Sequence, residues 1–223
     1  DAREVCRVLE QARERFFAAF SGIGMGTNRS DQPLIWMCFE GREAFDRYAA
    51  SADRLQRTWL ASYYSSRTNR VALIRSDFRS YPDWHAELTE QGGAETLRVA
   101  AAQDEMNVLP MPRTPERFAF ARLTHELAHQ LAFNSGLQAR GVMYPFWVSE
   151  GLATNFEFEG PEALDSGICS TVRLRALLDA HAAGELVPLR RFLIEAHGPL
   201  DAGQSRRYYA QAWALFQFVL SER

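Results

Sequence analysis

The chain has 223 residues, 47% of them apolar and 24% charged, with a formal net charge of −3. This is the composition of one ordinary globular domain, long enough to bury about 70% of its unfolded surface. It gives no basic surplus for nucleic acid or anionic lipid, and no apolar run of about eighteen residues to span a membrane. All 25 basic residues are Arg, which excludes lysine-nucleophile and Schiff-base chemistry.

The chain opens at Asp1 with neither Met nor a signal peptide, as expected of a processed or trimmed chain. Residues 2–20 carry helical spacing, with Val5, Leu9, Phe16 and Phe20 as the apolar positions. Ser21 to Pro33 is a Gly-rich loop. Its Gly22-x-Gly24-x-Gly26 follows a helix rather than a strand, which argues against dinucleotide binding. Leu34 to Phe39 is a continuous apolar run and predicts a buried strand, with Cys38 in the core. Glu43 to Leu55 predicts a helix. Trp59 to Tyr64 and Val71 to Ile74, around Ser66-Arg67-Thr68-Asn69, predict a hairpin. Its free edge could hold an extended peptide by strand addition. Residues 82–113 carry Gly92-Gly93 and three prolines, match no element, and are placed at the rim of a cleft.

Thr114-Pro115 is a helix start and Asn134-Ser135-Gly136 a stop. Between them stands His125-Glu126-Leu127-Ala128-His129, an H-E-x-x-H pattern. On a helix both imidazoles share one face, where two neutral rings can grip a zinc ion and the Glu can work on a zinc-bound water. Stepping about 100° per residue puts Phe120, Leu123, Leu127 and Leu131 on the opposite side. Phe118, Ala121 and Ala132 flank the histidines. This is the pattern of a central helix lining a cleft. A catalytic zinc takes three protein ligands and leaves a position for water. The metzincin continuation is absent, since Ala132 and Ser135 occupy the positions it needs. Pro145 then breaks the chain, and a new helix from Trp147 carries Glu150 near its start. If that helix folds back beside the first, Glu150 completes a His, His, Glu set. Its alternative role is an ordinary first-turn Glu on the helix dipole.

Beyond Glu157 the pattern predicts three helices, at 171–183, 188–196 and 205–221, with Gly184 and Gly198 as stops. Cys6, Cys38 and Cys169 are widely spaced and form no zinc cluster. One disulfide with a spare thiol and three buried thiols both fit.

The H-E-x-x-H pattern followed by Trp147-Val148-Ser149-Glu150-Gly151-Leu152-Ala153 resembles the gluzincin metallopeptidases, closest to exported bacterial members with H-E-x-x-H-Q and W-V-S-E-G-L-A segments. The likeness is specific over residues 114–157 and looser toward the C-terminus. It implies an α+β, zincin-like (thermolysin-like) single domain over 1–223. Residues 1–113 would be mainly sheet and helix, and 114–223 the active-site helix and a helical half. It implies one zinc ion on His125, His129 and Glu150, Glu126 as general base, a peptide or protein substrate, and a periplasmic or secreted location. A Tyr some sixty residues after the Glu ligand steadies the oxyanion in many relatives. Tyr209 matches that position, with Tyr208 and His197 as alternatives. Where relatives carry an Asp that orients a ligating His, this chain has Thr154, followed by Asn155. Either could hydrogen-bond a ring nitrogen without bringing a charge. Gly24-Met25-Gly26-Thr27-Asn28 lacks the Glu of the G-x-M-E-N aminopeptidase signature, which favours endopeptidase action. The alternatives to a zinc endopeptidase are a catalytically silent peptide-binding scaffold and a hydrolase of a non-peptide amide or ester. The intact Glu126 argues against the scaffold.

Overall fold

The computed structural model describes residues 2–22, 24–25, 27–30, 32–55, 60–74, 115–158, 171–195, 198–199 and 202–222. Helix α1 (Ala2–Gly22) is the first element. Its buried stripe is Val8, Ala12, Phe16 and Phe20, four residues apart, with Phe17 beside it. The expected Val5 is only half-buried, so the stripe is rotated from the one read in sequence. The four-residue step keeps one face turned inward over about three turns. Phe16 packs at a tilt against Phe20 and Phe156, with ring centroids 4.8 and 5.0 Å away. Each such buried ring contributes about 1.5–3 kcal/mol.

A three-stranded sheet follows, built from β1 (Ile35–Phe39), β2 (Ser62–Ser65) and β3 (Arg70–Ile74), with helix α2 (Arg42–Asp53) between β1 and β2. The strand order is β1-β3-β2, with β1 parallel and β2 antiparallel to β3. The predicted hairpin is therefore present. Its turn places Asn69 at φ 55°, the left-handed region that Asn tolerates. The apolar run of β1 is not a buried strand. Among the described residues it lies at a sheet edge, its residues are exposed or half-buried, and Cys38 is exposed rather than core. The run is apolar because it meets helices on both faces, with Phe39 packed on Phe45 of α2 and Trp36 turned to the other side. Cys6 is exposed as well, and Cys169 lies outside the described residues.

Strand alternation sorts the side chains of β2. Tyr63 and Ser65 face α2, where both hydroxyls meet the buried Asp53 carboxylate. Ser62 and Tyr64 face the other way, onto α3 (Pro115–Asn134). Pro115 opens α3 and Gly136, at φ 86°, follows its end, as the start and stop residues predict. Leu127 and Leu131 are buried against α1 with Phe120 partly buried beside them, and Leu123 is buried as well, as the helical wheel predicts.

Helix α4 (Phe146–Thr154) returns alongside α3. Then come α5 (Thr171–Ala182), α6 (Leu189–Ile194) and α7 (Ala202–Ser221), close to the predicted spans. The assembly is mixed α+β, a small sheet followed by a helical half. No described helix is long and apolar enough to cross a membrane. Residues 82–113 and His197 lie outside the described residues.

Candidate metal centre

Three local arrangements aim the site. The first fixes the rotation of α3. Gln130, directly after the motif, is fully buried. Its Oε1 accepts from the Trp36 indole at 2.9 Å, and its Nε2 donates to the backbone oxygen of Asn69 at 3.3 Å. Asn134, one turn on, trades amide hydrogen bonds with Asn69 at 2.8 and 3.0 Å. The helix is thus pinned to β1 and the hairpin turn.

The second sets the approach of α4. Gly151 lies against α7, where a Cβ would meet the Ala212 backbone oxygen at 2.7 Å and Phe216 Cβ at 2.9 Å. A side chain there would push the helices apart. The small residue after Glu150 therefore lets α4 nest on α7 while Glu150 reaches toward α3. The third is Thr124, next to His125, whose hydroxyl accepts from the Phe158 amide at 3.0 Å. That bond draws the segment after α4 across α3 and carries Glu157 with it.

The result is a triangle of donor atoms. His125 Nε2 lies 3.2 Å from His129 Nε2, and Glu150 Oε2 is 3.2 and 3.3 Å from the two nitrogens. Glu150 Oε2 is buried without a well-directed hydrogen bond, although both rings are close. The three atoms lie close enough together to be donors to one ion. Donors bound at 2.0–2.1 Å to a tetrahedral ion stand about 3.3–3.4 Å apart, so the triangle fits one face of such a coordination shell. Two imidazoles and one carboxylate are also a donor set suited to a borderline divalent cation. The chain therefore brings His125, His129 and Glu150 together as a group that could hold one metal ion.

The charges agree with that demand. Burial works against charge on His125, yet the carboxylates of Glu150 and Glu157 outweigh it and raise its pKa to about 10. Burial would lift the Glu150 carboxyl, but His129 and then His125 hold it well below the usual carboxylate range. A buried cluster that draws in protons is one that a cation can fill in their place.

Glu126 is buried beside this triangle, and its Oε1 accepts from Ser62 Oγ at 2.8 Å. It is absent from the converging donor group, as a general base requires. Tyr209 of α7 lies over the site, its ring centroid 6.0 Å from that of His125 and 5.4 Å from that of Phe146. Burial first, then the Glu150 and Glu126 charges, push its phenol well above the ordinary value. Tyr208 turns away into the core with Phe146 and Phe192, so only Tyr209 of the two faces the site.

Thr154 and Asn155 do not reach the histidines. The Thr154 hydroxyl donates to the Glu150 backbone oxygen at 2.7 Å, and the Asn155 amide donates to the backbone oxygens of Gly151 and Trp213 at 2.6 and 3.3 Å. Both sit on the side of α4 that faces its own turn and α7. The partner of His125 Nδ1 is Glu157, at 2.9 Å. Arg173 clasps that carboxylate at two points, 2.8 and 2.6 Å. Burial opposes charge on Glu157, but Arg173 and then His125 keep its pKa lowered. Sequence reading missed Glu157, Arg173 and Ser62. Glu157 lies beyond the last turn of α4, where helical spacing no longer says which way a side chain points. The clue available was only that a carboxylate stands three residues after Thr154.

Residues 119–223 match the model of a family described as "Protein of unknown function (DUF1570)". The matched stretch contains every site residue named above except Trp36, Ser62 and Asn69. No curated protein matches the chain, and no solved structure does.

Proposed function

We propose that this protein is a zinc-dependent peptide-bond hydrolase, an endopeptidase on a zincin-like fold. The observation that carries the reading is the donor triangle of His125, His129 and Glu150, with sides of 3.2, 3.2 and 3.3 Å. Those three side chains would hold the ion. A zinc ion there supplies Lewis acidity, polarising a carbonyl and making a water acidic near neutral pH.

The chain's own groups supply the rest. Glu126 takes a proton from the attacking water and passes it to the leaving amine. Ser62 occupies its Oε1, so Oε2 is the oxygen assigned to the proton. Tyr209 keeps its proton at neutral pH and donates it as a hydrogen bond to the oxygen on which negative charge develops. Among the described residues strand β2 lies at a sheet edge, and it carries Ser62 beside Glu126. A peptide pairing with that edge would run past the site in extended form. The resemblance to exported peptidases supports action outside the bacterial cytoplasm.

The first test is metal content by mass spectrometry for wild type and His129→Ala. About one zinc per chain is expected in wild type alone, and equal trace zinc in both overturns the reading. The second incubates zinc-loaded wild type and Glu126→Gln with a diverse peptide library. Cleavage by wild type only is expected, and silence from both would favour the scaffold.

A further inference from the structure

Resting on that metal centre, we propose that Glu157 and Arg173 form a positioning pair that fixes the tautomer of His125 and holds Tyr209 beside it. Neither residue belongs to the motif or to the donor triangle. Four groups form a chain of contacts. His125 Nδ1 meets Glu157 Oε1 at 2.9 Å, and Arg173 binds both Glu157 oxygens, at 2.8 and 2.6 Å. Arg173 Cζ then lies 5.3 Å from the centroid of the Tyr209 ring. The side chains of Glu157 and Arg173 are 10% and 20% exposed, so solvent does little to weaken the pair.

Each contact has one chemical reading. An ionised carboxylate only accepts, so the hydrogen between it and His125 sits on Nδ1. In the neutral ring the Nε2 lone pair is then left to point into the triangle, and a carboxylate on the far nitrogen makes that lone pair a stronger donor. A lone Glu157 would add another buried negative charge beside Glu126 and Glu150. The Arg173 guanidinium neutralises it and, being planar and forked, also fixes its rotation. The same cation lies over the ring face of Tyr209, where it is attracted by the ring quadrupole. Glu157 therefore serves one partner of the reaction and Arg173 another, and a single ion pair sets both.

A merely structural ion pair would pin α5 to the segment after α4 and would not affect metal affinity in folded protein. The test uses the full chain and Zn²⁺ alone. Dissociation constants come from competition with a chromogenic chelator, with circular dichroism and a cooperative melt to establish folding. Glu157→Gln keeps the shape and is expected to bind Zn²⁺ roughly 10–100-fold more weakly, with Glu157→Asp recovering part of the loss. Arg173→Lys keeps the charge but loses the two-point grip, and a smaller loss of affinity is expected. Co²⁺-loaded Glu157→Gln should show altered visible bands, since the His125 donor has changed. Folded Glu157→Gln with the wild-type dissociation constant overturns the pair's role. Nitrogen-15 spectra of the histidine rings in zinc-loaded wild type test the tautomer without any variant. Nδ1–H on His125 is expected, and a bare Nδ1 overturns the proposal. Wild type that binds no Zn²⁺ fails earlier, and that failure belongs to the metal centre itself.

Discussion

Ser62 Oγ donates to Glu126 Oε1 at 2.8 Å, joining an edge strand to the residue between the two histidines. The bond is buried and one partner is charged, a class worth about 1.5–3 kcal/mol. It holds the carboxylate still while leaving the metal donors untouched. Ser62→Ala should therefore lower kcat/KM about tenfold or more with zinc content unchanged. Equal kcat/KM for the two proteins on a peptide that wild type cleaves would remove Ser62 from the account.

Tyr209 and its neighbour separate activity from packing. Tyr209→Phe keeps the ring contacts with Phe146 and His125 and deletes only the hydroxyl. A fall in kcat of roughly 10²–10³ is expected, with KM and zinc affinity little changed. Tyr208→Phe alters a core position and should leave kcat near wild type. A reversed pattern would assign the hydroxyl to the wrong tyrosine.

Gly151 predicts a stability effect with an unusual sign. Glycine to alanine inside a helix ordinarily gains about 1 kcal/mol. Here the new methyl meets the Ala212 backbone oxygen at 2.7 Å, and backbone cannot swing aside. Gly151→Ala should lose roughly 1–3 kcal/mol in urea unfolding and weaken zinc binding as Glu150 shifts. A more stable variant would show that α4 and α7 do not pack as described.

Acid and base should both destabilise the metal-free protein, each through different groups. His125 has a folded pKa raised to about 10, against 6.5 for an ordinary exposed imidazole. Its contribution to stability is fully present below pH 6.5 and is lost as pH rises through 10. Glu150 and Glu157 have lowered values, so their contribution is present above pH 4.5 and is lost as pH falls. These groups give the metal-free protein its best stability between pH 4.5 and 6.5. Zinc competes with the proton, so the rise in Tm on adding zinc should grow from pH 6 to pH 9. A zinc-induced rise that is flat across that range would contradict this balance.

The sequence makes the centre of the site legible and its surroundings much less so. His125, Glu126 and His129 share a helix, where a fixed 3.6-residue turn decides which residues converge. Tyr209 could be placed only by resemblance, because no local period links α7 to α3. Glu157 and Ser62 were invisible for the same reason. Each reaches the site from a segment whose path depends on tertiary contacts, through Thr124 in one case and the hairpin in the other. Strand β1 misled because an apolar run reports contact on two faces and not the number of neighbouring strands. Cys38 went wrong with it. Helices α5 to α7 were read well, since their own spacing and the flanking Gly184 and Gly198 mark them locally.

Gln130 works as an indexing pin. With its amide locked to Trp36 and Asn69, α3 cannot turn about its own axis, and one residue of slip would carry both rings out of register. The socket is thus cut by the protein's own framework before any cation arrives. Chelators should accordingly empty this protein and leave it standing, unlike small zinc modules that collapse once stripped.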